Sequence, residues 1–124
     1  MKRVAFALIR NEKGQYLMGK RRDSDKWSFI GGGCDNKENP RTSLIRETKE
    51  ESGLRVTESR LVHVDKNEDV LIYIYEVSAT GKLDFTKDPD QEFYILRYVN
   101  PFELVREMHV PAAKNSIMKW LSKK

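Results

Sequence analysis

The chain has 124 residues, of which 39% are hydrophobic and 34% charged, and its formal net charge is +4. That length suits one domain spanning residues 1–124 and is too short for two, and the composition is that of an ordinary soluble globular protein. No apolar run is longer than Val70 to Tyr75, which is far short of a membrane span, so a membrane role is not expected.

Elements follow in chain order. Val4–Arg10 reads as a strand, not as a leader, because charged Arg10, Glu12 and Lys13 follow with no small-residue cleavage site. Asn11 to Gly14 is a turn and Tyr16–Lys20 a second strand, so the pattern predicts a hairpin. Trp27–Ile30 is a short strand running into Gly31, Gly32 and Gly33. Asn39 can cap a helix, Pro40 fits its first position and Gly53 fits the position past its end, which predicts a helix over Pro40–Ser52. Arg60–Asp65 and Val70–Ala79 are strands flanking a turn from Lys66 to Asp69, and Glu92–Val99 is the last strand. Asn100 with Glu103 three residues on predicts another helix start, and Pro111 a third helix with Ile117, Trp120 and Leu121 on one face. Two to three helices on a mixed sheet make an α+β layered domain.

Mild basicity suits a polyanionic ligand, either nucleic acid or a small phosphorylated molecule. The basic residues are scattered, however, and a lysine-rich solvated surface explains the charge as well. Cys34 is the only cysteine, so no intrachain disulfide forms, and a reducing compartment, the cytoplasm, is expected.

The helix over Pro40–Ser52 carries Glu47, Glu50 and Glu51 at spacings of three and four, hence on one face, while Leu44, Ile45 and Thr48 project toward the sheet. Like charges so spaced cost an isolated helix about 0.2–0.5 kcal/mol per pair. They also lie toward the helix C-terminus, where the macrodipole disfavours anions. A hard divalent cation such as Mg²⁺, which takes oxygen ligands, reverses the sign of that cost. From the helix alone, a solvated acidic face relieved by Arg46 and Lys49 fits equally well. The glycine run ahead of this helix, able to adopt unusual backbone and admit a close neighbour, shifts the balance toward a site.

The segment Gly32 to Leu54 resembles the Nudix box, G-x5-E-x7-R-E-U-x-E-E-x-G-U with U aliphatic. Gly32, Glu38, Arg46-Glu47, Glu50-Glu51, Gly53 and Leu54 fall on specified positions, and only Thr48 departs from them. Lys26-Trp27-Ser28-Phe29-Ile30-Gly31-Gly32 resembles the lead-in of the MutT-like branch, with Ile30 for its usual proline. Arg97-Tyr98 with Glu103-Leu104 resembles a later segment of the family, with Tyr98 for tryptophan. The resemblance implies an α/β/α sandwich with a mixed, curved sheet.

It implies roles as well. Glu47, Glu50 and Glu51 would bind Mg²⁺, for which Mn²⁺ can substitute, together with the carbonyl of Gly32. Arg46 would orient the glutamates and Glu38 support the loop. The base that activates water varies in the family between a box glutamate, here Glu47 or Glu50, and an acid in a later loop. Glu92 lies where such a residue is found, with Asp90 close by, and an ordinary polar loop residue is the plain alternative. Lys20, Arg21, Arg22 and Lys26 are candidate phosphate contacts or surface residues. Trp27 either stacks on a base or fills the core, and Asn115 either contacts a base or serves the surface. His63 and His109 are too isolated to pair.

The expected function is Mg²⁺-dependent hydrolysis of a diphosphate bond in a small nucleotide, a nucleoside triphosphate cut to monophosphate and pyrophosphate. A nucleotide sugar, ADP-ribose or a dinucleoside polyphosphate is the alternative substrate. A non-catalytic nucleotide-sensing module is the alternative class, disfavoured by the intact carboxylates. No aromatic and basic stripe predicts a nucleic-acid polymer as partner. The sequence leaves monomer and homodimer open.

Overall fold

The computed structural model describes residues 1–108 and 112–123. The strands are β1 (Lys2–Ile9), β2 (Tyr16–Arg21), β3 (Trp27–Gly33), β4 (Arg55–Asn67), β5 (Val70–Thr80) and β6 (Phe93–Val99), and the helices α1 (Pro40–Ser52) and α2 (Ala112–Leu121). The strands form one sheet in the order β4-β5-β1-β3-β2-β6. β1 and β5 are parallel and all other pairs antiparallel, so the sheet is mixed.

The alternation of β1 separates two packing layers. Ala5, Ala7 and Ile9 face a cluster with Leu17, Ile30, Tyr75 and Val77, on which Leu44 of α1 docks. Phe6 and Leu8 face the opposite cluster with Phe29, Ile72 and Ile74, which Ile117 and Leu121 of α2 close. The result is the expected α/β/α sandwich in an α+β fold. Alanine at two of the α1-facing positions leaves room for that helix to lie close, and α1 touches both β1 and β3.

The predicted hairpin of the first two strands does not form. β3 lies between them, pairing Val4 with Gly33 on one side and Met18 with Phe29 on the other. Only an isolated bridge from Arg10 to Tyr16 joins the two neighbours in sequence. β1 is buried from Ala5 to Ile9 on both faces, which demands a central position, and a central strand takes its partners from afar.

Other boundaries also shift. β4 begins at Arg55, earlier than the alternation suggests, because bulges near Thr57 and Val62 break the two-residue period. The β4–β5 turn shrinks to Glu68-Asp69, with Glu68 left-handed at φ 54°. Asn100 does cap, accepting from the Phe102 amide, but Leu104 N–H bonds back to the Pro101 carbonyl. Two single 3₁₀ turns, Pro101–Glu103 and Val105–Glu107, therefore stand where an α-helix is expected. Of the α1 residues expected to dock, Leu44 and Thr48 are buried, whereas Ile45 is 44% exposed. α2 is present, but the opening role expected of Pro111 and the position of His109 lie outside the described residues.

Candidate functional site

α1 has the bounds read from its caps. Asn39 accepts from the Thr42 amide at 2.8 Å, and Gly53 is left-handed at φ 78° with its N–H on the Lys49 carbonyl. The helix so placed turns Glu47 and Glu51 toward the glycines that end β3. Gly31 has φ 142°, and a Cβ there would lie 2.1 Å from the Ala5 carbonyl oxygen, so no other residue fits. Its amide donates to Glu51 Oε1 at 2.8 Å. At Gly32 a Cβ would meet the Glu47 carboxylate at 3.5 Å, so the glycine backbone and that carboxylate are close neighbours.

Glu51 is 1% exposed, and its Oε2 is buried with no hydrogen-bond partner among the described residues. Burial, with Glu92 beside it, holds its carboxyl well above the usual carboxylate range. Glu47 is pushed up to about 7, first by burial and then by Glu92 and Glu50, against the opposing pull of Arg46.

Arg46 ties the helix to the loop before it. Its Nε and Nη2 donate to Glu38 Oε2 and Oε1, both at 2.9 Å, in a bidentate pair. Its Nη1 donates to Glu47 Oε1 at 3.1 Å and Glu50 Oε2 at 3.3 Å. The guanidinium holds Glu38 down to about 2. Arg3, which the sequence does not single out, fastens the same loop by donating to the carbonyls of Asp35, Asn36 and Glu38.

A second acidic segment faces α1. Single carboxylate oxygens of Glu50, Asp88 and Asp90 lie within 4.8 Å of one another. Glu92 follows immediately before β6, and its charge acts on both Glu47 and Glu51. The structure thus brings Gly32, Arg46, Glu47, Glu50, Glu51 and Glu92 together. Arg22 is exposed, and its amide donates to the Glu92 carbonyl at 2.8 Å, which puts it at the margin of the cluster. Lys26 is exposed beside β3. Trp27 is 8% exposed and belongs to the core on the α2 side. Asn115 is exposed on α2, the layer opposite α1. Asp88 went unnoticed in the sequence, although three acids within the five residues from 88 to 92 are a signal.

The donor set is made of carboxylate and backbone oxygens alone, and one of the carboxylate oxygens is buried and unpaired. Those features fit a hard divalent cation and give a soft metal nothing to bind.

The profile of the NUDIX domain matches residues 1–121. The chain belongs to the Nudix hydrolase family. A stretch of 60 residues is 38% identical to the RNA pyrophosphohydrolase of Haemophilus influenzae strain Rd, covering 48% of this chain and 31% of that protein. The chain thus spans about a third of the length of the curated relatives it first matches. A MutT-like protein of Streptomyces ambofaciens is 29% identical over 107 residues, 85% of this chain and 67% of the relative. The solved structure of MutT from a study of Aliivibrio salmonicida and Vibrio cholerae superposes with a TM-score of 0.75 at 20% identity, over 96% of this chain and 94% of that one. That last likeness establishes the shared Nudix fold. Among the described residues no helix is long and apolar enough to cross a membrane.

Proposed function

We propose that this Nudix hydrolase is a Mg²⁺-dependent pyrophosphohydrolase that cuts a nucleoside triphosphate, normal or oxidised, to the monophosphate and pyrophosphate. The observation that carries the reading is Glu51. One of its oxygens is pinned by Gly31 and the other is buried without a hydrogen-bond partner among the described residues, and it stands beside Glu47 and Glu92. Clustering raised carboxyl groups in a buried site is costly unless a cation belongs there.

Glu47, Glu50, Glu51 and the Gly32 carbonyl are the residues that would hold Mg²⁺, with Mn²⁺ able to substitute. When bound, the ion neutralises phosphate charge and acidifies a water. Arg46 holds Glu47 and Glu50 at fixed separation through its Nη1. Glu92, at the edge of the same cluster, is the candidate to accept the proton of the attacking water, with Glu47 and Glu50 as the alternatives. Arg22 and Lys26 are candidate phosphate contacts, and Trp27 and Asn115 candidate base contacts. The ligand is a free nucleotide in the cytoplasm rather than a nucleic-acid polymer, and one domain carries the whole site. The relatives named MutT-like protein and RNA pyrophosphohydrolase support cleavage of a diphosphate linkage.

A hydrolysis panel with Mg²⁺ tests this. It should contain the nucleoside triphosphates and their oxidised forms, nucleotide sugars, ADP-ribose, dinucleoside polyphosphates and 5′-triphosphorylated RNA, with products separated by chromatography. Monophosphate and pyrophosphate from a nucleoside triphosphate are expected. Release of orthophosphate alone contradicts the bond assignment, and preference for another member of the panel contradicts the substrate class.

A further inference from the structure

Asp88 lies outside the Nudix box and is 2% exposed, although it is an acid on a loop between strands. Both of its carboxylate oxygens are engaged by the chain just ahead. Oδ1 accepts from the Asp90 amide at 3.0 Å, and Oδ2 from the Glu92 amide at 3.2 Å. The backbone closes around it: the Asp88 carbonyl accepts from Gln91 N at 3.2 Å and from Gln91 Nε2 at 2.6 Å. Gln91 takes a left-handed φ of 49° to make this possible, a conformation that residues other than glycine, asparagine and aspartate seldom adopt.

The consequence is directional. One buried carboxylate holds the amides at 90 and 92, and it is these residues that face α1. Asp90 comes within 4.8 Å of Glu50, and Glu92 stands against Glu51. Glu92 is gripped from the other side too, since its carbonyl accepts from Arg22 N. A loop acid serving only to close its own turn has no need to set two further acids against a helix some forty positions earlier in the chain.

We propose that Asp88 is a positioning residue, which by holding the amides of residues 90 and 92 fixes Glu92 against the glutamates of α1. This rests on the reading that Glu92 takes part in the reaction. An Asp88 that bound the cation itself, or that merely stabilised the loop, would act independently of Glu92, and the two cases separate in a double-mutant cycle.

The variants are Asp88→Ala, Asp88→Asn, Glu92→Gln and Asp88→Ala combined with Glu92→Gln. Amide exchange is followed by ¹H–¹⁵N spectra in EDTA, and kcat and KM are measured with Mg²⁺ on the best substrate of the panel. Asp88→Ala should lose protection at the amides of 90 and 92 while the rest of the spectrum stays native. Its kcat should fall roughly 10–100-fold, as a misplacement near 1 Å does, with KM little changed. Asp88→Asn keeps one acceptor oxygen and should recover part of the rate. The double variant should be no slower than Glu92→Gln alone. Full activity in Asp88→Ala, or a loss that multiplies with that of Glu92→Gln, overturns the proposal. A Glu92→Gln enzyme as fast as wild type sinks the reading of Glu92 and the proposal with it. Should Asp88→Ala not fold, the same cycle run with Asp88→Asn decides.

Discussion

The amide of Gly31 donates to Glu51 Oε1 at 2.8 Å, joining the end of β3 to a side chain twenty positions later on α1. The contact links two requirements met at different places in the chain. Gly31 must be glycine because the Ala5 carbonyl occupies the space of a Cβ. Glu51 is held through Oε1, and its Oε2 is buried with no hydrogen-bond partner among the described residues. Backbone of an unusual shape thus orients a carboxylate that burial alone would reject.

Replacing that carboxylate separates function from stability. Glu51→Gln keeps the acceptor for the Gly31 amide but removes the charge. Turnover should fall by orders of magnitude while the fold persists. Without metal the variant should melt higher than wild type by roughly 2–8 °C, the shift that about 1 kcal/mol produces in a small domain. Near-normal Mg²⁺-dependent turnover in this variant would remove Glu51 from the site.

The same groups make stability depend on pH in a sense that metal should reverse. Glu47 is raised from 4.5 to about 7 in the folded chain, so between those values the native state binds more protons than the unfolded state. Stability without metal should therefore fall as pH rises from about 4.5 to 7, by up to the order of 3 kcal/mol for this group, and Glu51 acts in the same direction. Glu38, lowered to about 2, works the opposite way: its contribution is complete above about 4.5 and is lost as pH drops toward 2. Calorimetric melts across this range, with EDTA and then with Mg²⁺, check both limbs. Mg²⁺ should remove the decline toward neutral pH, and a flat profile from pH 5 to 7 in EDTA would contradict the burial of these carboxyls.

The glycine loop gives the sharpest structural test. Gly31→Ala puts a methyl group 2.1 Å from the Ala5 carbonyl oxygen at a φ of 142°. Moving β1 or β3 apart is the only relief, and both are central strands. A loss of about 2–4 kcal/mol is expected, visible as a lowered melting temperature or as insoluble protein. Gly33→Ala is the control, because the nearest heavy atom to a Cβ there is the end of the flexible Lys2 side chain at 4.0 Å. Equal melting temperatures for the two variants would count against the steric argument.

What the sequence determines here is mostly what a few neighbouring residues can enforce. Asn39, Pro40 and Gly53 set both ends of α1, since caps act through hydrogen bonds and backbone angles within one turn. The spacing of Glu47, Glu50 and Glu51 places them on one face for the same reason, and the short turn before Val70 makes β4 and β5 a hairpin. The position of β3 between β1 and β2 is a different matter. It depends on β1 being buried on both faces, which only the packing of α1 and α2 on opposite sides reveals. Tertiary packing also exposes Ile45 while burying Thr48, and it reduces the segment after Asn100 to two 3₁₀ turns. It alone brings the loop around Asp88 up to Glu50 and Glu51, because contacts between residues some forty positions apart are set by how layers stack, and no local period in the chain records them.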